Sequence, residues 1–321
     1  MQNSDIVLSR AMSTATPPPR LIHWVLMLSV ALVWGTSFMF VELALRGFGP
    51  FTIVAGRITL AALVLIGLSI FSGRGLPPLR GTGAGWVWLS AFALGVFSNA
   101  LPFLLLSWSQ QFVASGFAGV CMAAVPLLVL PLAHFLVPGE TMSWLKTIGF
   151  ITGFVGVFLL IGWDAFESLG TNFESTARIA CVGAACCYAI GNIITRLCPP
   201  VRMISLAAAT MGFAALISLP MAIWLEGWPA YTPLGTASIV ILGLFATAGA
   251  LLVQVKIVRE AGPTFMVLVN YQVPAWSLFF GWSILNEHLP ATFFAALLLI
   301  LLGMALSQWR TLRALYGMLR R

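Results

Sequence analysis

The chain has 321 residues, of which 60% are hydrophobic and only 8% charged, and its mean hydropathy is +1.01. A soluble domain cannot hide that much apolar surface, so the expected solvent is a lipid bilayer. The net charge of +7 is scattered between apolar runs rather than gathered on one face, which argues for topology signals and against a nucleic-acid partner.

Residues 1–21 are polar, carry Pro17-Pro18-Pro19, and are expected to form a cytoplasmic tail. The apolar run that follows is too long for a signal-peptide core and lacks an A-x-A cleavage pattern, so it reads as a helix of the mature protein. About 20 apolar residues cross a bilayer as a helix, because every backbone group must be paired within the span. Cutting at Pro, Gly and charge clusters gives ten spans, at 22–45, 50–71, 86–108, 112–137, 144–163, 177–197, 203–225, 236–257, 263–285 and 290–309. Residues 164–176 form a periplasmic linker between 22–163 and 177–309, and residues 310–321 form a second cytoplasmic tail.

The basic residues test this division. With alternate loops on opposite sides, thirteen fall on one side: Arg10, Arg20, Arg74, Arg80, Lys146, Arg196, Arg202, Lys256, Arg259, Arg310, Arg313, Arg320 and Arg321. Two, Arg46 and Arg178, fall on the other, and Arg57 stays inside a span. So strong a bias places both termini in the cytoplasm.

The chain also repeats itself. Leu94-Gly95, Val125-Pro126, Glu140 and Gly156 return as Leu242-Gly243, Val273-Pro274, Glu287 and Gly303. Gly to Pro spans 31 residues in both copies and Glu to Gly spans 16, while Pro to Glu is 14 in one and 13 in the other. With five helices in each copy, the second inserts upside down, giving two inverted repeats related by an axis in the membrane plane.

A ten-helix chain of this kind resembles the drug/metabolite transporter superfamily in its EamA-type branch. The residues that carry the likeness are Trp34-Gly35-Thr36-Ser37, Arg57, the Pro126, Glu140 and Gly156 series, Ala185-Cys186-Cys187-Tyr188-Ala189, and Pro274, Glu287 and Gly303. Within the superfamily the chain is most similar to bacterial inner-membrane amino-acid exporters, the aromatic amino-acid exporters among them. The resemblance implies an all-α integral membrane fold in which helices one, three, four, six, eight and nine surround a central cavity. Helices five and ten would pack to one side. Gly149-Phe150-Ile151-Thr152-Gly153 on helix five is a small-xxx-small face suited to close contact, within a monomer or in a homodimer. The likeness departs at Arg57, for which the second half has no basic counterpart near Leu206 to Ala209.

Polar groups inside a span usually face the bundle interior or water. On this ground, with aromatic faces added, the candidates for substrate binding are Trp34, Ser37, Asn99, Trp108, Tyr188, Asn192, Gln254, Asn270 and Tyr271. Pro126 and Pro274 each remove a backbone hydrogen bond mid-helix and are candidate hinges. Arg57 is expected to snorkel to the nearer membrane surface or to pair with Glu42, in a structural role. The cysteines read as small hydrophobes, no residues show metal-ligand spacing, and no cofactor is expected.

A phosphate dianion needs several cationic partners, and lipophilic-cation export with proton exchange needs a buried carboxylate. The spans offer neither, since every Asp and Glu falls at a span end. What remains suits a neutral or zwitterionic solute, above all an amino acid with an aromatic or large apolar side chain, moved without obligatory proton coupling. The alternative is a proton-coupled exporter of drugs or of metabolites such as nucleosides. A membrane enzyme would gather titratable groups at one depth, and none gather here.

Overall fold

The computed structural model describes residues 19–162 and 173–319, and all regular structure within them is helical. Eight helices are long and apolar enough to cross a membrane by length and composition: α1 Leu21–Leu45, α2 Pro50–Phe71, α3 Ala84–Ser109, α4 Ser115–Leu136, α5 Trp144–Ile161, α6 Phe173–Leu197, α7 Met203–Glu226 and α8 Pro233–Glu260. Two shorter helices follow, the second of them apolar. The ninth, α9, is broken, with one turn at Pro263–Met266 and a main segment at Val269–Ser283, and α10 spans Ala291–Ser307. A last helix, α11 at Trp309–Leu319, occupies the segment expected only as a tail. The expected N-terminal tail lies almost wholly outside the described residues, and so does most of the expected linker, although its last residues, from Phe173, already form the first turn of α6.

Local chemistry explains where these helices begin. Pro50 and Pro233 occupy first-turn positions, where their missing N–H has no helical partner to lose. Ser143 caps α5, its hydroxyl accepting from the Lys146 amide at 3.5 Å. Helix α7 ends at Gly227, whose φ of 75° lies in the left-handed region that a side chain resists. Between α3 and α4, where only a short polar stretch intervenes, the chain turns at Gln110 to Ala114.

The helices pack in a definite set of pairs. Helix α1 packs on α8 and α9, and α6 packs on α3 and α4. Helix α2 packs on α7 and α8, α7 on α3, α4 on α9, and α5 on α10. Small residues make the closest approaches possible. A Cβ on Gly149 would lie 2.5 Å from the Gly303 carbonyl oxygen and 2.6 Å from the Ser307 amide, so α5 and α10 meet backbone to backbone. The small-xxx-small face of α5 is therefore occupied within the chain. Glycines of the sequence repeat serve matching contacts: Gly95 on α3 lies against α7 at Thr210 and Phe213, and Gly243 on α8 lies against α2 at Arg57 and Leu60.

Two carboxylates satisfy helix N-termini that lack local caps. Glu287, in the turn after α9, accepts from the Ser115 and Gly116 amides of α4 at 2.7 and 3.0 Å. Glu226, closing α7, accepts from the Phe51 and Thr52 amides of α2 at 3.0 and 2.8 Å. Glu140, the repeat partner of Glu287, is used differently: it pairs with Lys146 at 3.4 Å and with Arg196 of α6 at 3.0 Å.

Candidate functional site: a buried cation between paired π-turns

Helices α3 and α8 each change pitch in mid-span. Val96–Ala100 in α3 and Leu242–Gly249 in α8 are π-helical, a local widening that leaves carbonyls out of the regular ladder. Each stretch repairs itself with one side chain. Asn99 Nδ2 donates to the Leu94 carbonyl at 3.1 Å, and Thr247 Oγ1 donates to the Leu242 carbonyl at 2.8 Å. In the register that aligns Gly95 with Gly243, Asn99 and Thr247 are partners, and so are Leu94 and Leu242. The two repairs are thus the same device written twice.

Only one copy has a cation added to it. Arg57, on α2, is 7% exposed, and its Nε donates to Thr247 Oγ1 at 2.8 Å. The hydroxyl can accept this bond because its own proton goes to Leu242. The guanidinium carbon sits 3.8 Å from the centroid of the Phe103 ring on α3. Phe103 meets Tyr188 of α6 edge-on, with centroids 6.5 Å apart. Arg57 therefore neither snorkels nor pairs with Glu42, which corrects the sequence expectation. The reason is the close approach at Gly243, which brings α8 against the backbone of Arg57 and puts the Thr247 hydroxyl within hydrogen-bond reach of its side chain.

Among the described residues Arg57 forms no ion pair; those present are His23–Glu260, Lys146–Glu140, Arg178–Glu174 and Arg196–Glu140. Taking an unpaired charge out of water costs several kcal/mol, so the fold carries a liability here that one hydroxyl and one ring only partly offset.

The remaining candidates are dispersed. Tyr188 joins the Arg57 group, packing against two hydrophobic clusters at once. Asn99 is buried one π-turn away. Trp34 is half-buried against the main core, and Ser37 gives its hydroxyl proton to the Trp34 carbonyl at 2.6 Å. Trp108 stands in an aromatic row with Phe112 and Phe173, at 5.2 Å for each neighbouring pair. Asn192 is exposed and donates to the Tyr188 carbonyl at 2.8 Å. Gln254 and Asn270 are half-buried, and their side-chain amides have no hydrogen bond among the described residues. Tyr271 lines a separate groove of about 350 Å³ with Trp24, Met27, Gln272, Leu312 and Tyr316, where its buried hydroxyl has no hydrogen-bond partner among the described residues. Pro126 lies in the first turn of the second α-helical part of α4, Val125–Leu136, after a 3₁₀ turn at Met122–Ala124, while Pro274 lies inside the main segment of α9.

Phe103 and Thr247 are the site residues that sequence reading left off its list. A usable signal existed for Thr247, since the repeat register places it opposite Asn99. Nothing in the sequence pointed to Phe103, one apolar residue among many.

A bundle of apolar helices with a polar group buried between its halves defines a multi-pass membrane protein of the transporter class. A family model for EamA-like transporters matches residues 21–162 and 176–309, and the chain belongs to that family. An uncharacterized transporter of Bacillus subtilis, YoaV, is 23% identical over 86% of this chain and 93% of that protein. An S-adenosylmethionine/S-adenosylhomocysteine transporter of Chlamydia muridarum is 26% identical over 85% of this chain and 87% of its own length. The uncharacterized inner membrane transporter YedA of Escherichia coli is 23% identical, covering 86% and 87%. A solved crystal structure with 19% identity superposes with a TM-score of 0.62 over 91% of this chain and 99% of that one, a likeness of fold.

Proposed function

We propose that this protein exports amino acids, preferentially those with aromatic or large apolar side chains, across a bacterial inner membrane by alternating access. The observation that carries this reading is the helix pairing. Exchanging each helix with the one five places along turns α1–α9 into α6–α4, α1–α8 into α6–α3 and α2–α8 into α7–α3, and returns α2–α7 and α5–α10 to themselves. Two equivalent half-bundles of this kind can rock about a shared centre, with Pro126 and Pro274 as hinges. In this reading α9 and α10 are the ninth and tenth spans, and the halves are inverted.

The interior favours one kind of cargo. Its polar surface consists of amides, hydroxyls and one guanidinium set among Phe and Tyr rings, which suits a zwitterion carrying an apolar side chain. Among the described residues no carboxylate contacts that group, so no side chain there alternates between charged and neutral, and transport proceeds as uniport. The Chlamydia relative supports a panel wider than simple amino acids.

Purified protein in liposomes preloaded with tryptophan or phenylalanine is expected to take up the labelled amino acid by counterflow. S-adenosylmethionine, adenosine and a lipophilic cation complete the panel. Uptake of adenosine or the cation without any amino acid would overturn the assignment in favour of the drug or nucleoside reading.

Orientation is tested separately. The thirteen-to-two distribution of basic residues supports a cytoplasmic position for both termini. Reporter fusions at Gly170 and at Arg321 are expected to score periplasmic and cytoplasmic respectively; a shared side would exclude ten spans in this arrangement.

A further inference from the structure

We propose that Arg57 reads the carboxylate of the transported solute. The assignment rests on the transport reading above and adds the chemical group by which cargo is chosen. An arginine side chain carries five N–H donors in a planar fork. Here a single one of them, Nε–H, has a hydrogen-bond partner among the described residues, the Thr247 hydroxyl. The bond holds the guanidinium over the Phe103 ring and leaves its Nη edge, the part that matches a carboxylate, without an acceptor among the described residues.

Packing alone does not call for this cation. Helix α7 lies against α3 at Gly95 as α2 lies against α8 at Gly243, and the α7 contact is made by Thr210 and Phe213 without a basic residue. The α3 π-turn is likewise repaired by Asn99 alone. The half that lacks an arginine therefore forms the same contact and the same turn. What the arginine adds is a buried positive charge that lacks an anion. Its surroundings select the rest of the ligand: Phe103 and Tyr188 supply ring surface for an apolar side chain. Thr247 is a positioning residue, acting through Nε.

The test compares L-phenylalanine, phenylpyruvate and L-phenylalaninamide as competitors of phenylalanine counterflow in proteoliposomes. Wild-type protein is expected to prefer the two carboxylates over the amide by about tenfold or more, the scale of a charge-assisted hydrogen bond in a buried site. Arg57→Met, close in length but uncharged, is expected to erase that preference, and Thr247→Val to reduce it several-fold with Arg57 intact. A purely structural arginine would lower all rates together and leave the acid-to-amide ratio unchanged, which would overturn the proposal. Should Arg57→Met not accumulate as folded protein, wild type and Thr247→Val decide. Equal inhibition by acid and amide in wild type, or an unaltered ratio in Thr247→Val, counts against Arg57. The transport reading fails distinguishably. Phenylpyruvate exchange that depends on Arg57, without exchange of any amino acid, would refute amino-acid export and leave the carboxylate assignment standing. Amino-acid exchange blind to the acid and amide would do the reverse.

Discussion

Replacing Gly303 by valine is expected to destabilise the protein by at least about 3 kcal/mol, the upper part of the range for overpacking. A Cβ at this position would sit 2.5 Å from the Gly149 carbonyl oxygen and 2.6 Å from the Gly153 Cα. Both are backbone atoms, so no rotamer change relieves the clash and α10 must move off α5. These two helices meet across small residues along much of their length: Gly156 lies against Ala296 and Ile300, as Gly149 lies against Gly303 and Ser307. In lipid, where apolar association gains nothing from expelling water, that close van der Waals contact is what holds a helix pair together. The measurement is thermal unfolding in detergent, followed by far-ultraviolet circular dichroism. Gly85→Ala is the control, since a Cβ there meets nothing within 4 Å and its effect is expected to stay below about 1 kcal/mol. A Gly303→Val protein that unfolds with wild type would refute the account of the α5–α10 contact.

Glu287→Ala is expected to cost about 2–3 kcal/mol, more than an ordinary cap, because two charge-assisted bonds disappear at once. The amides released are those of Ser115 and Gly116, and Ser115 is only 1% exposed, so water does not replace the carboxylate easily. The first residues of α4 pack directly on α9, and the lost cap loosens that junction as well as the helix. Glu226→Ala removes the matching pair of bonds from α2, but there the Phe51 and Thr52 amides donate at an exposed site, and the expected cost is about 1 kcal/mol or less. Ranking the two variants by melting temperature checks the argument: Glu226→Ala as the more damaging of the two would contradict it.

Glu287 also illustrates how a repeat in sequence parts from a repeat in role. Spacing paired it with Glu140 and gave no hint that one carboxylate would cap a helix and the other hold Arg196 and Lys146. Which partner a carboxylate takes depends on which helix ends approach it, and that is set by chain reversals elsewhere. The glycines behaved oppositely. Gly95 and Gly243, matched by spacing, make equivalent contacts with α7 and α2, because a position that must admit a neighbouring backbone tolerates little else.

The sequence by itself determined that the chain is built of apolar helices able to cross a bilayer, eight of them long enough among the described residues, and it carries an internal repeat in its spacing. A bilayer demands that each spanning segment pair its own backbone, so a run of apolar residues bounded by Pro, Gly and charge is already a statement about local structure. Even the π-turns have a trace there, in the register that sets Asn99 against Thr247. The tertiary structure alone decided where Arg57 points. Read along the chain, its nearest relief was a membrane surface or Glu42; in the folded molecule it is Thr247, distant by 190 positions and 2.8 Å away. A buried charge responds to the acceptors and rings within a few ångströms, and those neighbours come from α3 and α8, which only packing brings to α2.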